Sequence, residues 1–200
     1  MRIIGLTGRS GSGKSTVCEA AKKRNIPVMD CDRVYAEMTS HPSPFLDAIC
    51  ETFGEGCVRD DALYRPVMRE IVFGNEDARR KLNALTAHYM GEEIRLTAAS
   101  LAGKSNLLLL DAPTLFDTGL DSLCDCTVCV IAPEQDCLAR IMARDGISKQ
   151  DARKRLNSQL PDAFFASHCD YVIRNDGDLP ELLETAEAFF LGLLYPEQKK

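Results

Sequence analysis

Short apolar segments recur along the chain and indicate strands that are buried on both faces. Each segment is too short for a helix and is bounded by Gly, Pro, Asp or Asn. None alternates cleanly between apolar and polar residues, which is typical of strands covered on both sides. The predicted strands are residues 3–6, 26–29, 107–110, 127–131 and 171–173. Because helical patterns separate them, we predict an α/β fold in which helices wrap a parallel sheet.

The strands are unevenly spaced, and helical patterns fill the wider gaps. No strand is predicted between residues 29 and 107, where helices are expected at residues 33–39, 44–53, 65–73 and 75–102. A smaller helical segment, residues 134–166, carries the basic residues Arg140, Arg144, Lys149, Arg153, Lys154 and Arg155. We therefore predict a single domain over residues 1–200, with a helical substrate-binding insertion at 33–102 and a lid region at 134–166.

A glycine-rich segment follows the first predicted strand. Gly8-Arg9-Ser10-Gly11-Ser12-Gly13-Lys14-Ser15 matches the pattern G-x-x-x-x-G-K-[ST] at every fixed position, and a helical pattern follows it at residues 14–24. The glycines let the backbone curl around an anion, and the helix N-terminus adds unpaired N–H groups. Lys14 is expected at the β- and γ-phosphates of a nucleotide, Ser15 at Mg²⁺ and Thr16 at the α-phosphate. The predicted nucleotide-binding residues of this loop are Gly8, Gly11, Ser12, Gly13, Lys14, Ser15 and Thr16.

This phosphate-binding loop, the P-loop, limits the folds and functions that are possible for the chain. We expect a three-layer P-loop NTPase fold with a five-stranded parallel sheet, a helical substrate-binding insertion and a small helical lid. The chain lacks the N-K-x-D motif by which GTPases read guanine. The strand at 107–110 ends in a single carboxylate, Asp111, whereas motor and transporter ATPases usually end this strand in Asp-Glu. A small-molecule kinase that uses ATP is therefore the favoured class.

Carboxylates follow two of the predicted strands. Asp111 lies at the sheet edge where such folds bind ligands, so it is either a Mg²⁺ ligand or a cap for the turn that follows. Asp30 and Asp32 follow the second strand at the same edge. One of these two can cap the next helix while the other orients and deprotonates an acceptor hydroxyl. We favour Asp32 for the catalytic role and Asp30 for the cap.

Two arginines of the lid region are candidates for charge stabilisation. Arg140 and Arg144 lie four residues apart in a helical pattern and therefore share one face of the helix. This arrangement suits a lid that closes over a polyphosphate, although a solvated basic face is the alternative. Given the P-loop, we favour the lid, with Arg140 in catalysis and Arg144 in nucleotide binding.

The composition limits the partners and the location. The 200 residues carry a net charge of −6, which argues against sequence-independent nucleic-acid binding. No apolar segment approaches the ~20 residues of a spanning helix, so no membrane partner is expected. The N-terminus lacks a signal-peptide pattern, and the nine cysteines are expected to be reduced. We predict a cytoplasmic protein, a monomer or a small homo-oligomer, with a small-molecule substrate.

Several segments, taken in order, resemble the dephospho-CoA kinase family. They are Gly5-Leu6-Thr7-Gly8, Val28-Met29-Asp30-Cys31-Asp32, Leu63-Tyr64-Arg65, Asp111-Ala112-Pro113-Thr114-Leu115-Phe116, Arg140-Ile141-Met142-Ala143-Arg144-Asp145-Gly146 and Arg155 to Gln159. Apart from the P-loop each is a weak signal, and their order and spacing make the set specific. The chain departs from the family pattern at Thr86-Ala87-His88-Tyr89, where the family has His-Pro.

The resemblance implies a reaction: ATP- and Mg²⁺-dependent phosphorylation of the ribose 3′-hydroxyl of dephospho-CoA, which yields coenzyme A. The implied site residues are Asp32, Lys14 and Arg140 for catalysis, Asp32, Arg65 and His88 for the acceptor, and Asn175 for the nucleotide. Two alternatives remain open. One is a related P-loop kinase for another hydroxyl or nucleotide acceptor, and the other is a nucleotide-binding regulatory protein without turnover.

Overall fold

The computed structural model of the protein describes residues 1–195 and is built on a parallel sheet. Its strands are β1 (Arg2–Thr7), β2 (Val28–Asp30), β3 (Val58–Arg59), β4 (Ala62–Leu63), β5 (Leu107–Asp111), β6 (Cys126–Ile131) and β7 (Tyr171–Arg174). Five of them form one sheet in the order β2-β5-β1-β6-β7, and every neighbouring pair is parallel. The predicted five-stranded parallel sheet is therefore confirmed.

Helices cover both faces of this sheet and make the predicted three layers. They are α1 (Lys14–Lys23), α2 (Cys31–Met38), α3 (Pro44–Phe53), α4 (Arg65–Val72), α5 (Glu76–Ser100), α6 (Glu134–Asp145), α7 (Lys149–Asn157), α8 (Asp162–His168) and α9 (Leu179–Leu194). One core joins α1 and α9 to the sheet through Val17 and Phe190. The other joins α3 and α5 to the opposite face through Phe45 and Met90.

Burial on both faces explains the apolar strands. Leu107 and Leu109 belong to the core beneath α1 and α9, whereas Leu108 and Leu110 belong to the core beneath α3 and α5. Successive side chains of a strand point to opposite faces, so a strand inside a three-layer fold is apolar at every position. A separate small core, which includes Leu138 and Leu156, holds α6 against α7.

A short antiparallel hairpin corrects the expectation of no strand between residues 29 and 107. The strands β3 and β4 pair through Val58 and Leu63, and Asp60 and Asp61 form the turn with φ of 52° and 60°. Asp tolerates this left-handed region, which a two-residue hairpin turn requires. Strands of two residues are too short to show any alternation, which is why the pattern did not indicate them.

The register of the sheet brings three chain segments to one edge. Leu6 pairs with Asp111, and Asp30 pairs with the same residue from the other side. The glycine-rich loop follows directly after β1. Because carboxyl ends of parallel strands form the ligand-binding edge of such sheets, the loop and these carboxylates share one site. Within residues 1–195, no helix is both long enough and apolar enough to cross a bilayer.

Candidate active site

A cleft of about 570 Å³ lies at this edge of the sheet. It is lined by Ser10, Gly11, Gly13, Lys14, Ser15, Asp30, Asp32, Asp111, Pro113, Arg140, Arg144 and Gln159. The P-loop, the carboxylates and the two lid arginines proposed from the sequence therefore meet in one space. A larger, more open groove of about 1000 Å³ runs along α6 and α7, but it is lined by none of the P-loop residues. We place the chemistry in the smaller cleft.

Close packing around the P-loop requires glycine at two positions in particular. Gly8 has φ of 132°, and a Cβ there would lie 2.4 Å from the carbonyl oxygen of Val130. Gly13 has φ of 113°, and a Cβ there would lie 2.5 Å from Nδ2 of Asn175. Side chains at these positions would both strain the backbone and collide with neighbours. The glycines of the motif are therefore required by the close approach of Val130 and Asn175 to the loop.

Lys14 spans the loop from the first turn of α1. Its Nζ donates to the carbonyl oxygen of Gly8 at 2.8 Å and to that of Arg9 at 3.1 Å. Burial lowers the pKa of Lys14, and the neighbouring Asp111 carboxylate opposes this shift. An ammonium held against backbone oxygens in a half-buried cleft is well placed to exchange these contacts for phosphate oxygens.

The remaining P-loop residues divide between the cleft and the interior. Ser15 lines the cleft, while Thr16 is the next residue of α1, and its N–H donates to the carbonyl of Gly13 at 3.0 Å. Ser12 is buried, and its backbone carbonyl accepts a 2.7 Å hydrogen bond from Nδ2 of Asn175. Asn175, only 5% exposed, thus braces the loop from beneath.

Asp30 and Asp32 have different surroundings. The side chain of Asp30 accepts a 2.9 Å hydrogen bond from the N–H of Arg33 and caps α2, as the sequence suggested. Asp32 lies in the first turn of the same helix and is exposed to the cleft. Partial burial raises the pKa of Asp32, the charges of Asp30 and Asp111 raise it further, and Lys14 opposes them. A carboxylate with a raised pKa that remains accessible is a good candidate for a general base.

Asp111 ends β5 at the floor of the cleft. Burial raises the pKa of this carboxyl, while Lys14 and a hydrogen bond with the Cys18 thiol oppose the rise. Its Oδ1 is buried without a hydrogen-bond partner in the described part of the chain, so this oxygen is available to a cation or to water bound to one. Together with the hydroxyl of Ser15, it offers the hard oxygen ligands that Mg²⁺ prefers.

A magnesium ion at this place would depend mainly on phosphates. In residues 1–195 there is no group of three or more His, Cys, Asp or Glu side chains that could hold a metal. Mg²⁺ in phosphoryl-transfer sites usually binds one or two protein ligands together with substrate phosphates and water. Ser15 and Asp111 therefore fit such an ion, although they would not hold it alone.

Both lid arginines reach the P-loop from α6. Nη1 of Arg140 donates to the carbonyl oxygen of Gly11 at 3.0 Å, and Nη2 of Arg144 lies 3.2 Å from Oγ of Ser10. Arg144 also pairs with Asp145 at 2.8 Å. Both guanidiniums thus contact the phosphate-binding loop, although the side chain of Arg144 is also 58% exposed to solvent.

Two further residues support the loop and were not identified from the sequence as site residues. Arg9 is only 9% exposed, and its guanidinium donates to the carbonyl of Leu156 and pairs with Asp162 at 3.8 Å. Oε1 of Gln159 accepts a 2.8 Å hydrogen bond from the N–H of Ser10. Arg9 occupies a variable position of the P-loop pattern, which therefore gives no signal for it.

The two predicted acceptor contacts other than Asp32 lie outside this cleft. Arg65 begins α4; burial raises the pKa of Tyr35, and the charge of Arg65 opposes this rise. His88 is 61% exposed on α5, with Nε2 3.8 Å from Oε1 of Glu92. The structure thus places Arg65 beside the helix that carries Asp32, and His88 at the solvent.

Comparison with known sequences gives one consistent family. A family model described as dephospho-CoA kinase matches residues 2–181. The dephospho-CoA kinase of Latilactobacillus sakei subsp. sakei (strain 23K) is 36% identical over 194 residues, with 96% of each chain covered. The dephospho-CoA kinase of Arabidopsis thaliana is 34% identical, with 98% of this chain and 85% of that protein covered.

Solved structures share the fold over nearly the whole length. The Thermus thermophilus protein TT1252 superposes with a TM-score of 0.78 at 29% identity, covering 96% of this chain and 97% of that one. The dephospho-CoA kinase of Campylobacter jejuni superposes with a TM-score of 0.67 at 21% identity, covering 96% and 98%. At that lower identity the likeness establishes the fold alone.

Proposed function

The chain belongs to the dephospho-CoA kinase family, and we propose that it transfers the γ-phosphoryl group of ATP to the ribose 3′-hydroxyl of dephospho-CoA. The products are coenzyme A and ADP. The observation that carries the proposal is the cleft itself, in which Lys14, Asp32 and Arg140 meet. These are a phosphate ligand, a base and a cation, the groups that phosphoryl transfer to an alcohol requires.

The nucleotide side of the reaction is assigned to the P-loop and the lid region. Backbone N–H groups of the loop and the N-terminus of α1 bind the phosphates, and Lys14 neutralises their charge. Arg140 and Arg144 add positive charge at the transferring group, because both lie against the loop. Ser15 and Asp111 would hold Mg²⁺, which supplies further charge neutralisation when bound.

The acceptor side is assigned to Asp32. A ribose hydroxyl is a weak acid, and a carboxylate within hydrogen-bond reach aligns it and accepts its proton as the phosphoryl group moves. Phosphoryl transfer has a loose transition state, so alignment contributes much of the benefit. Burial and the negative charges of Asp30 and Asp111 raise the pKa of Asp32, which suits a general base.

The helical insertion and the lid region are each assigned to one of the two substrates. The insertion at residues 33–102 provides the acceptor side, since it begins directly after Asp32 in α2 and contains Arg65, whose charge acts on Tyr35 of the same helix. The lid region at 134–166 provides the arginines through α6, and the contacts of Arg9 and Ser10 tie it to the P-loop. The insertion therefore serves the acceptor, and the lid region serves ATP.

An acceptor screen tests the proposed function. Purified protein with Mg²⁺ and ATP is offered dephospho-CoA, free adenosine, adenosine monophosphate and simple hydroxyl acids, and products are identified by mass. We expect phosphorylation of dephospho-CoA well above every other acceptor. A Lys14→Ala preparation, purified in the same way, controls for a contaminating kinase. Turnover of another acceptor alone would identify a related kinase, and ATP binding without turnover would identify a regulatory protein.

A further inference from the structure

Two cysteines lie in contact at the two chain ends of the lid region. Cys129 lies within β6, shortly before residues 134–166, and Cys169 follows the last turn of α8, shortly after them. The two thiols share a hydrogen bond. Neither residue lines the cleft that contains the P-loop. The kinase reaction proposed above therefore makes no use of this pair of thiols.

We propose that Cys129 and Cys169 are a thiol–disulfide exchange site, at which a low-molecular-weight disulfide oxidises the two thiols to an intramolecular disulfide. The new bond would join the two ends of the lid region. The inference goes beyond the proposed function and does not depend on it, because the exchange requires neither ATP nor an acceptor alcohol.

Hydrogen bonds between β6 and the segment before β7 hold the two cysteines together. The side chain of Asp170 accepts from the N–H of Thr127 at 2.8 Å and from its hydroxyl at 3.0 Å, and the N–H of Asp170 donates back to Oγ1 of Thr127 at 3.1 Å. Alternate residues of a strand point to the same face, so Thr127 and Cys129 face the same side of the sheet. Since Cys169 directly precedes Asp170, the thiols meet beside this anchored contact.

The two thiols differ in access and in acidity. Cys129 is fully buried, whereas Cys169 is half-buried between the exposed residues His168 and Asp170. The hydrogen bond from the Cys129 thiol lowers the pKa of Cys169, burial opposes this, and a hydrogen bond with Thr127 lowers it further. The thiolate is the form of cysteine that attacks a disulfide. Cys169 is therefore the attacking thiol, and Cys129 is the thiol that resolves the intermediate.

The exchange has two steps. The Cys169 thiolate attacks one sulfur of the small disulfide, whose S–S bond breaks, and one small thiolate leaves. Cys129 then gives its proton to solvent and attacks Sγ of Cys169, which expels the second small thiolate. The two protein thiols lose two electrons in forming their bond, and the small disulfide gains them as it becomes two thiols.

The disulfide would close a loop that contains the lid region. This loop spans residues 129–169 and includes α6, which carries Arg140 and Arg144, together with α7 and α8. A cross-link restricts the unfolded chain, and longer loops give larger stabilisation. Because the two thiols are already in contact in the folded protein, the bond should stabilise the lid region without displacing it.

Another pair of cysteines in the insertion provides the comparison. Cys50 of α3 is half-buried and lies near the buried Cys57, because burial first, and then the proximity of Cys50, raises the pKa of Cys57. The Cys57 thiol, however, donates to the carbonyl of Phe53 at 3.7 Å. A bond between Cys50 and Cys57 would also close a much shorter loop. Cys50→Ser is therefore the matched control.

The test treats the reduced, folded protein with oxidised glutathione, blocks the remaining thiols and maps the sulfur bonds by mass spectrometry after digestion. We expect a Cys129–Cys169 bond in the wild type and in Cys50→Ser. Cys129→Ser should stop at a glutathione adduct on Cys169, and Cys169→Ser should carry no adduct on Cys129. The melting temperature of the oxidised wild type should rise by about 5 °C or more and return after treatment with dithiothreitol.

Absence of the Cys129–Cys169 bond in the wild type, a bond formed between Cys50 and Cys57 instead, or an unchanged melting temperature after the bond has formed would each overturn the proposal. The mapping on the wild type does not depend on how well any variant folds. Because it involves no turnover, a failure of the proposed kinase reaction would leave this inference intact, and the two outcomes are distinguishable.

Discussion

The guanidinium of Arg9 donates a 2.9 Å hydrogen bond to the backbone carbonyl of Leu156, in the last turn of α7. The carbonyls at a helix C-terminus carry partial negative charge, so an arginine there is favourable. The same guanidinium pairs with Asp162, in the first turn of α8. One P-loop residue therefore contacts two helices of the lid region and links their positions to that of the loop.

Arg9→Ala should destabilise the protein by about 1.5–3 kcal/mol, the range of a hydrogen bond to a charged group. The change also leaves the partly buried Asp162 without its cation. Urea unfolding measures the free energy, and Arg153→Ala is the control because that side chain is 56% exposed on α7. Exposed sites of this kind usually change stability by less than ~0.5 kcal/mol. Equal effects of the two variants would contradict the role of Arg9.

Arg140→Lys should lower kcat/KM by about 10- to 100-fold, the equivalent of the 1.5–3 kcal/mol of a charged hydrogen bond. Lysine keeps the charge but loses the planar fork that reaches the P-loop. Arg144→Lys should have a similar effect, mainly in the KM for ATP. Steady-state kinetics with ATP varied measure both, and Arg153→Lys is the matched exposed control. Wild-type behaviour of both variants would favour the solvated-face interpretation.

Arg65→Ala should raise the KM for dephospho-CoA about tenfold or more and change the KM for ATP little, since a lost anion contact weakens acceptor binding. His88→Ala tests the other acceptor contact that the resemblance implied. Because His88 is at the solvent, we expect the smaller change from it. Acceptor-varied kinetics of the two variants decide between them. A larger effect on ATP than on the acceptor would remove Arg65 from the acceptor side.

Local signals account for the parts of the molecule that the sequence predicted. The strand β5 is an unbroken run of leucines ended by Asp111, and it forms because both faces of the sheet are covered. The P-loop can be recognised in the sequence because Gly8 and Gly13 occupy positions where a side chain would strain the backbone and collide with neighbouring atoms. The cap at Asp30 follows from a short polar acceptor placed directly before a helix.

Other parts depend on distant contacts, which a linear pattern does not show. Arg9 is buried, and its guanidinium donates to the carbonyl of Leu156 in α7, which lies 147 positions further along the chain. Gln159 reaches Ser10 across a similar separation. The resemblance implies a role for Asn175 in nucleotide binding, and the structure shows that its amide donates to the backbone carbonyl of Ser12. Burial of such polar groups is decided by tertiary packing, so only the fold reveals their partners.

Asp32→Asn should lower kcat by about 10²–10⁴, the usual effect of losing a general base, and leave ATP binding largely intact. The variant should be at least as stable as the wild type at pH 7. Because the folded pKa of Asp32 is raised, its ionised form is disfavoured in the folded protein above that pKa. Urea unfolding should show this difference shrinking as the pH falls through the folded pKa and vanishing below the unfolded pKa. Normal turnover would show that another group activates the acceptor.

Asp30→Asn separates the two neighbouring carboxylates by their effect on pH dependence. Asparagine still caps α2, because Asn and Asp serve as N-caps equally well. The variant removes one of the negative charges that raise the pKa of Asp32. The acid limb of kcat/KM for dephospho-CoA, which reports the base of the free enzyme, should therefore move to lower pH while activity at neutral pH is largely kept.

Asp61→Asn is the control for this shift, since Asp61 lies in the hairpin turn and Asn tolerates its positive φ of 60°. The acid limb of this variant should coincide with that of the wild type. An unmoved limb in Asp30→Asn would show that Asp32 is not the titrating base. A large loss of kcat in Asp30→Asn together with near-normal turnover of Asp32→Asn would exchange the two roles, because the residue that receives the proton cannot be replaced by an amide.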